Sequence, residues 1–176
     1  MRFLVSMVVA LTLAGCASVA PTPPASPAPP GPAAPAVPPS AAEQRTAAAG
    51  ALAVERKWLA SWFDKTPVVI GQRSDGAITI EVPRDFCFDR GKSAVKPALA
   101  AVLDKVAESM RRVPGAQLPL LAAPEDGSGT AKLGMQRSTE IADHLRGRGV
   151  TAARLGKPSV TTAAAVQLRI EAMPAP

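Results

Sequence analysis

From Leu120 to Ser138 the chain reads LLAAPEDGSGTAKLGMQRS: two adjacent acids (Glu125, Asp126), three glycines (Gly127, Gly129, Gly134) and one arginine, Arg137, at the start of a helical pattern. Such a segment can grip a charged ligand, or it can only turn a corner. Asp126 before Gly127 has the form of a turn residue that bonds its own backbone, and Arg137 that of a solvated helix residue. The residues alone leave both readings open.

Other chemistries have less support. His144 is the single histidine. No Cys, His or carboxylate cluster stands at ligand spacing, so no metal site is expected. Asp143 points to a different helix face, which leaves no nucleophile–base pair, and His144 is expected at the surface. The run GSGTAK lacks the Gly-Lys-Ser/Thr ending of a phosphate loop. Nothing argues for an enzyme or a cofactor. Cys87, between Phe86 and Phe88, reads as a small buried hydrophobe, with an intermolecular bridge as the alternative.

The elements that must position these residues follow from periodicity. Ala41–Lys65 reads as a helix with Leu52, Leu59, Trp62 and Phe63 near one face. Two β-rich runs flank Ser74-Asp75-Gly76, a hairpin signal. Pro97 suits the first turn of a helix whose Leu99, Val102, Leu103, Val106, Met110 and Val113 keep i, i+3, i+4 spacing. Arg111 and Arg112 fall in its last turn, where the helix dipole favours cations. AQLPLLA reads as a short strand, with Pro119 indicating an edge or a bulge. Ala131–Arg146 is a second helix with Leu133, Ile141 and Leu145 as its stripe. AVQLRIEAM alternates Val166, Leu168 and Ile170 against Gln167, Arg169 and Glu171. From Ile78 the order is strand, helix, strand, helix, strand. That order predicts a two-layer α/β (α+β) sandwich with both helices on one face of a mixed sheet, behind an N-terminal helix and a hairpin strand.

The start of the chain gives an address. Arg2 precedes an apolar run, Phe3 to Leu13, too short to span a bilayer as a helix, which takes roughly 20 residues, but fitting an export signal. Leu13-Ala14-Gly15-Cys16 resembles the lipobox of bacterial lipoproteins. That resemblance implies cleavage before Cys16 and a diacylglyceryl group on its sulfur; with no aspartate after Cys16, it also implies the periplasmic face of the outer membrane. Residues 1–15 are then signal peptide and 16–40 a lipidated cysteine with a Pro/Ala-rich linker, almost entirely Pro, Ala, Ser and Thr from Pro21 to Pro39. That composition buries no core, and in polyproline II form the linker reaches on the order of 60–75 Å. Residues 41–66 form the N-terminal helix and 67–176 the domain. The net charge of +6 suits an anionic partner such as cell wall or lipid headgroups. The interleaved basic and aromatic surface that single-stranded nucleic acid requires is missing, so no nucleic acid is expected.

The arrangement resembles the periplasmic OmpA-like domain of peptidoglycan-associated lipoproteins, porin tails and flagellar stator proteins. The likeness rests on FCFDRGKSAVKPALAAVLDKVAESM, an aromatic-x-Phe-Asp strand end followed by a helix with an early proline, and on LGMQRSTEIADHLRGRGV, similar to the family's second helix with its Gly-Val turn. The resemblance implies non-covalent binding of peptidoglycan through the diaminopimelate of its stem peptide, with no cofactor. Carried over, the family arginine falls on Arg137, the aspartate on Asp126 and the following glycine on Gly129. An arginine fork would take a carboxylate, the aspartate an ammonium group, and backbone amides at the helix entrance an anion. The chain departs from the pattern at Ala123-Pro124-Glu125, at Gly134 where the family has serine, and in a shorter loop. Two functions are therefore expected as alternatives. One is a tether between outer membrane and cell wall; its geometry requires Asp126 and Arg137 to line one open groove. The other is a scaffold that docks on envelope proteins, with Trp58, Trp62 and Phe63 as the docking face.

Overall fold

The computed structural model describes residues 40–127 and 131–172; Cys16 and Gly129 lie outside the described residues. Helix α1 (Ala41–Trp62) starts with a reciprocal cap. The Ser40 hydroxyl accepts the Glu43 N–H at 3.3 Å, and the Glu43 carboxylate accepts the Ser40 N–H at 2.7 Å. Strands β1 (Val69–Gln72) and β2 (Ile78–Pro83) form the expected hairpin. Its turn is closed by the Asp75 carboxylate, which accepts the Ala77 N–H at 3.0 Å, and by Gly76 at φ +83°. A single helical turn, α2 (Arg84–Cys87), leads towards α3 (Pro97–Arg112), β3 (Ala116–Pro124) and α4 (Lys132–Gly147). A 3₁₀ turn (Ala152–Arg154), β4 (Pro158–Thr161) and β5 (Ala165–Ala172) complete the order.

The sheet runs β1-β2-β5-β3-β4, antiparallel except for the parallel β3–β4 pair. Register follows the hydrophobic alternation. Ile78 pairs with Ile170, Ile80 with Leu168 and Val82 with Val166, all buried on the same face. Onto that face pack Leu99, Leu103 and Met110 of α3, Ile141 and Leu145 of α4, and Leu52 and Leu59 of α1, as one core. Each such side chain contributes about 1.5–3 kcal/mol by burial. The mixed sheet with helices expected from the sequence is present. Pro119 lies at the register shift between Gln117 and Leu120, where its missing N–H costs no ladder bond. β3 is an interior strand, however, because β4 covers its outer side.

A clamp fixes α1 to α3. Arg112 donates from Nε to Glu55 Oε1 (2.9 Å) and from Nη2 to Oε2 (2.8 Å), with its guanidinium carbon 3.6 Å from the centre of the Trp58 ring. Glu55 is buried. Among the described residues no helix is long and apolar enough to cross a membrane.

Candidate functional site

β2 and β3 both run antiparallel to β5, which lies between them, and β4 runs parallel to β3. The C-terminal ends of β2, β3 and β4 therefore gather at one end of the sheet. There the α2 turn, the Asp89–Lys96 loop, the Glu125–Gly127 turn and the start of α4 come together.

Arg137, on the first turns of α4, sits at the centre of this junction and is 0% exposed. Its Nε donates to the Lys92 carbonyl (2.9 Å), Nη1 to the Pro124 carbonyl (2.8 Å) and Nη2 to the Asp89 carbonyl (3.2 Å). Asp126 meets it bidentately, Oδ1 at 2.8 Å from Nη1 and Oδ2 at 3.0 Å from Nη2. A guanidinium has five N–H groups, and five oxygens surround this one. The Phe88 ring, its centroid 4.8 Å away, closes the remaining face.

Asp126 is brought to Arg137 as expected, and its side chain keeps 18% exposure. Oδ2 also accepts the Gly91 N–H at 2.5 Å, and Arg84 Nε lies 3.8 Å from Oδ1. Hydrogen bonding from Arg137, with help from Gly91 and the two arginine charges, holds the Asp126 carboxyl below its ordinary range against the opposing effect of burial. It is ionised at any physiological pH.

The neighbouring acid serves the helix entrance. The first helix-flanking residue of α4 is Ala131, left-handed at φ +60° and without a capping side chain. Glu125 fills that role, its Oε1 accepting the Gly134 N–H at 2.7 Å. The amide site expected to receive a ligand anion thus holds the chain's own carboxylate. Gly134 itself is required by packing: a Cβ there would lie 2.8 Å from Val160 Cγ1 and 3.0 Å from the Ala123 carbonyl. This close approach of α4 to β3 and β4 accounts for glycine where the related pattern has serine.

The requirement that Asp126 and Arg137 line one open groove is not met. Asp126 faces a cleft, while Arg137 is sealed behind it with its donors consumed. Sequence reasoning missed Arg84 and Arg90. With Asp85, Phe88 and Asp126 they line a cleft of about 380 Å³. Arg84 also borders a second cleft of about 390 Å³, lined by Pro124, Gly127, Ala131, Thr161 and Ala164 among others. The visible signal was PRDFCFDRGK, with an arginine on either side of Phe86 and Phe88; the strand end expected there is the α2 turn, since β2 stops at Pro83.

Cys87 is buried, its thiol near the Val82 and Pro83 carbonyls, and burial pushes its pKa up to about 12. His144 is half-buried within a surface cluster: its Nε2 lies 2.7 Å from Asp104 Oδ1, an oxygen shared with Arg148 Nε at 2.8 Å. Among the described residues no group of three His, Cys, Asp or Glu could hold a metal ion. A separate apolar groove of about 450 Å³ runs between the end of α1 and α3, lined by Trp62, Phe63, Val68, Val82, Phe86 and Val102, with others. Trp62 and Phe86 are 53% and 46% exposed there.

No family model matches the chain, and no curated protein matches it. Solved structures do. A MotB-like protein from Desulfovibrio vulgaris superposes with a TM-score of 0.59 at 15% identity, over 75% of this chain and 95% of that one. The cell wall anchor of the T6SS from Pseudomonas aeruginosa gives 0.55 at 20% identity, over 66% and 95%. The periplasmic domain of Helicobacter pylori MotB (residues 90–256) gives 0.51 at 13% identity, over 65% and 83%. These likenesses show the fold, and it is the sandwich that the sequence resemblance implies.

Proposed function

We propose that the chain is a periplasmic binding protein of the cell envelope, not an enzyme. Its folded domain holds peptidoglycan non-covalently, and a lipidated Cys16 ties it to the outer membrane. Buried Arg137 cannot be the groove's arginine, which counts against the tether in the form the sequence suggested; with Arg84 and Arg90 in that place, one observation carries the reading. An ionised carboxylate, Asp126, is locked in place by a buried arginine at the wall of a cleft that also presents Arg84 and Arg90. A site carrying both charges side by side suits the zwitterionic end of a stem-peptide diaminopimelate. The shared fold with a solved cell wall anchor supports the same reading. Anchoring at Cys16 rests on the LAGC motif.

The test is co-sedimentation of the mature chain, carrying Cys16→Ser to keep it soluble, with purified sacculi. Saturable pelleting that is weakened by Asp126→Asn in a folded protein is the expected result. A folded wild type that stays in the supernatant would exclude the tether. The second reading, a protein scaffold, would then stand. It is favoured by the apolar groove at Trp62 and Phe86, and docking of an envelope protein there would be lost on Trp62→Ser.

A further inference from the structure

Two arginines flank Asp126, and they differ in what they have left to give. Arg137 has five oxygens against five N–H groups and no exposed surface. Arg84 is 34% exposed. Its one side-chain hydrogen bond to a described residue, from Nη1 to the Glu125 carbonyl, is long at 3.3 Å. Its ion pairs with Asp85 (3.5 Å) and Asp126 (3.8 Å) exceed hydrogen-bonding distance. Among the described residues nothing accepts from Nη2. Arg90 is exposed and makes no hydrogen bond or ion pair with any described residue.

We propose that Arg84, with Arg90 beside it, is the residue that receives a ligand's carboxylate, and that Arg137 is a positioning residue that never touches ligand. This deepens the peptidoglycan reading and rests on it for the identity of the natural ligand. Arg84 is the wall shared by the two clefts. A carboxylate placed on its unspent Nη2 edge faces both. The outer side of Asp126 and the exposed Asp85 lie next to it, so an ammonium group one carbon away from that carboxylate meets an acid without moving the chain. Adjacent opposite charges in the site match adjacent opposite charges on a single carbon. The ligand class is therefore an α-amino acid terminus with free ammonium and carboxylate. The rest of the molecule would extend along the second cleft, where Arg84 and Glu125 are the charged lining residues and the Glu125 carboxylate is already engaged by the Gly134 N–H. Rigidity comes from behind: Arg137 fixes Asp126, Asp126 holds the Gly91 amide, and α2 sets Arg84 through its N–H to the Ala164 carbonyl at 3.0 Å.

The experiment uses the mature Cys16→Ser chain with two probes, purified sacculi by pelleting and free meso-diaminopimelate by calorimetric titration. Arg84→Ala and Arg90→Ala are compared with wild type, and thermal melting checks that each variant is folded. Arg84→Ala is expected to weaken both kinds of binding by roughly tenfold or more, the scale of a lost charge-assisted pair, with little change in melting temperature. Arg84→Lys keeps the charge but loses the planar fork, and should fall between. If wild type binds sacculi and Arg84→Ala binds them equally, the Arg84 assignment is overturned and the peptidoglycan reading survives. If wild type ignores sacculi but binds meso-diaminopimelate through Arg84, the assignment stands and the peptidoglycan reading falls. Binding of neither probe by folded wild type overturns both.

Discussion

Arg137→Met removes the charge at the centre of the junction while keeping a long, flexible side chain. Its cost can be worked from the contacts. The substitution leaves Asp126, mostly enclosed, facing only the Gly91 N–H and a distant Arg84. It also leaves the Lys92, Pro124 and Asp89 carbonyls without their donor. Breaking a buried ion pair from one side costs about 3–5 kcal/mol, and a buried acceptor left dry about 1–3 kcal/mol. Water can reach Asp126 through its 18% exposure, which offsets part of this, so a total near 4 kcal/mol is expected. For a domain this size that is a large share of a stability of roughly 5–15 kcal/mol. Urea unfolding followed by the fluorescence of Trp58 and Trp62, the two tryptophans, measures it directly. Arg137→Lys, with three donors against five oxygens, should lose less. The double variant Arg137→Met/Asp126→Leu should recover part of the loss, since no charge is then stranded. A loss below about 1 kcal/mol for Arg137→Met would refute the assignment of Arg137 as the residue that holds this junction together.

Two further outcomes follow from local geometry. Gly134→Ala should destabilise by about 1–3 kcal/mol, because its methyl meets Val160 and the Ala123 carbonyl; an unchanged urea midpoint would show that α4 shifts freely away from β4. The Cys87 thiol, with its pKa raised to about 12, stays protonated and enclosed at pH 8. Maleimide labelling of the folded Cys16→Ser chain, in which Cys87 is the one thiol, should therefore be slow and should accelerate with urea, and rapid stoichiometric labelling without denaturant would contradict the burial.

Periodicity read some elements almost to the residue. Pro97 marks the start of α3 and Arg111–Arg112 its last turn, and the alternation around Val166, Leu168 and Ile170 is the buried face of β5. β4 escaped because it is four residues long, opens with Pro158 and is half-buried throughout, without alternation. Its strand character comes from pairing with Leu121–Pro124, far back in the chain. The site was legible in part for a similar reason. The spacing of LGMQRS puts Arg137 on α4, but the direction of its guanidinium is decided by carbonyls at Asp89 and Lys92, on a loop more than forty residues earlier. The glycine at 134 looks like a departure from a pattern until Val160 is seen against it. Arg84 looks like one cation among many, and only the placement of the α2 turn beside the end of β3 makes it the wall of two clefts.

The uneven attachment of α1 has a mechanical consequence. No described side chain before Leu52 is buried, whereas Leu52, Glu55 and Leu59 are, and the Arg112 clamp grips at Glu55 and Trp58. Tension entering at Ser40 would first open the Ser40–Glu43 cap and then peel the turns up to Ala51, along which no described side chain is fully buried. Each residue drawn out lengthens from about 1.5 to about 3.4 Å, so the eleven residues Ala41–Ala51 release roughly 20 Å of slack before the load reaches the clamp. The first half of α1 is an extensible fuse. It yields and re-forms while the sheet, the core and the cleft at the far end of β2 and β3 remain unloaded.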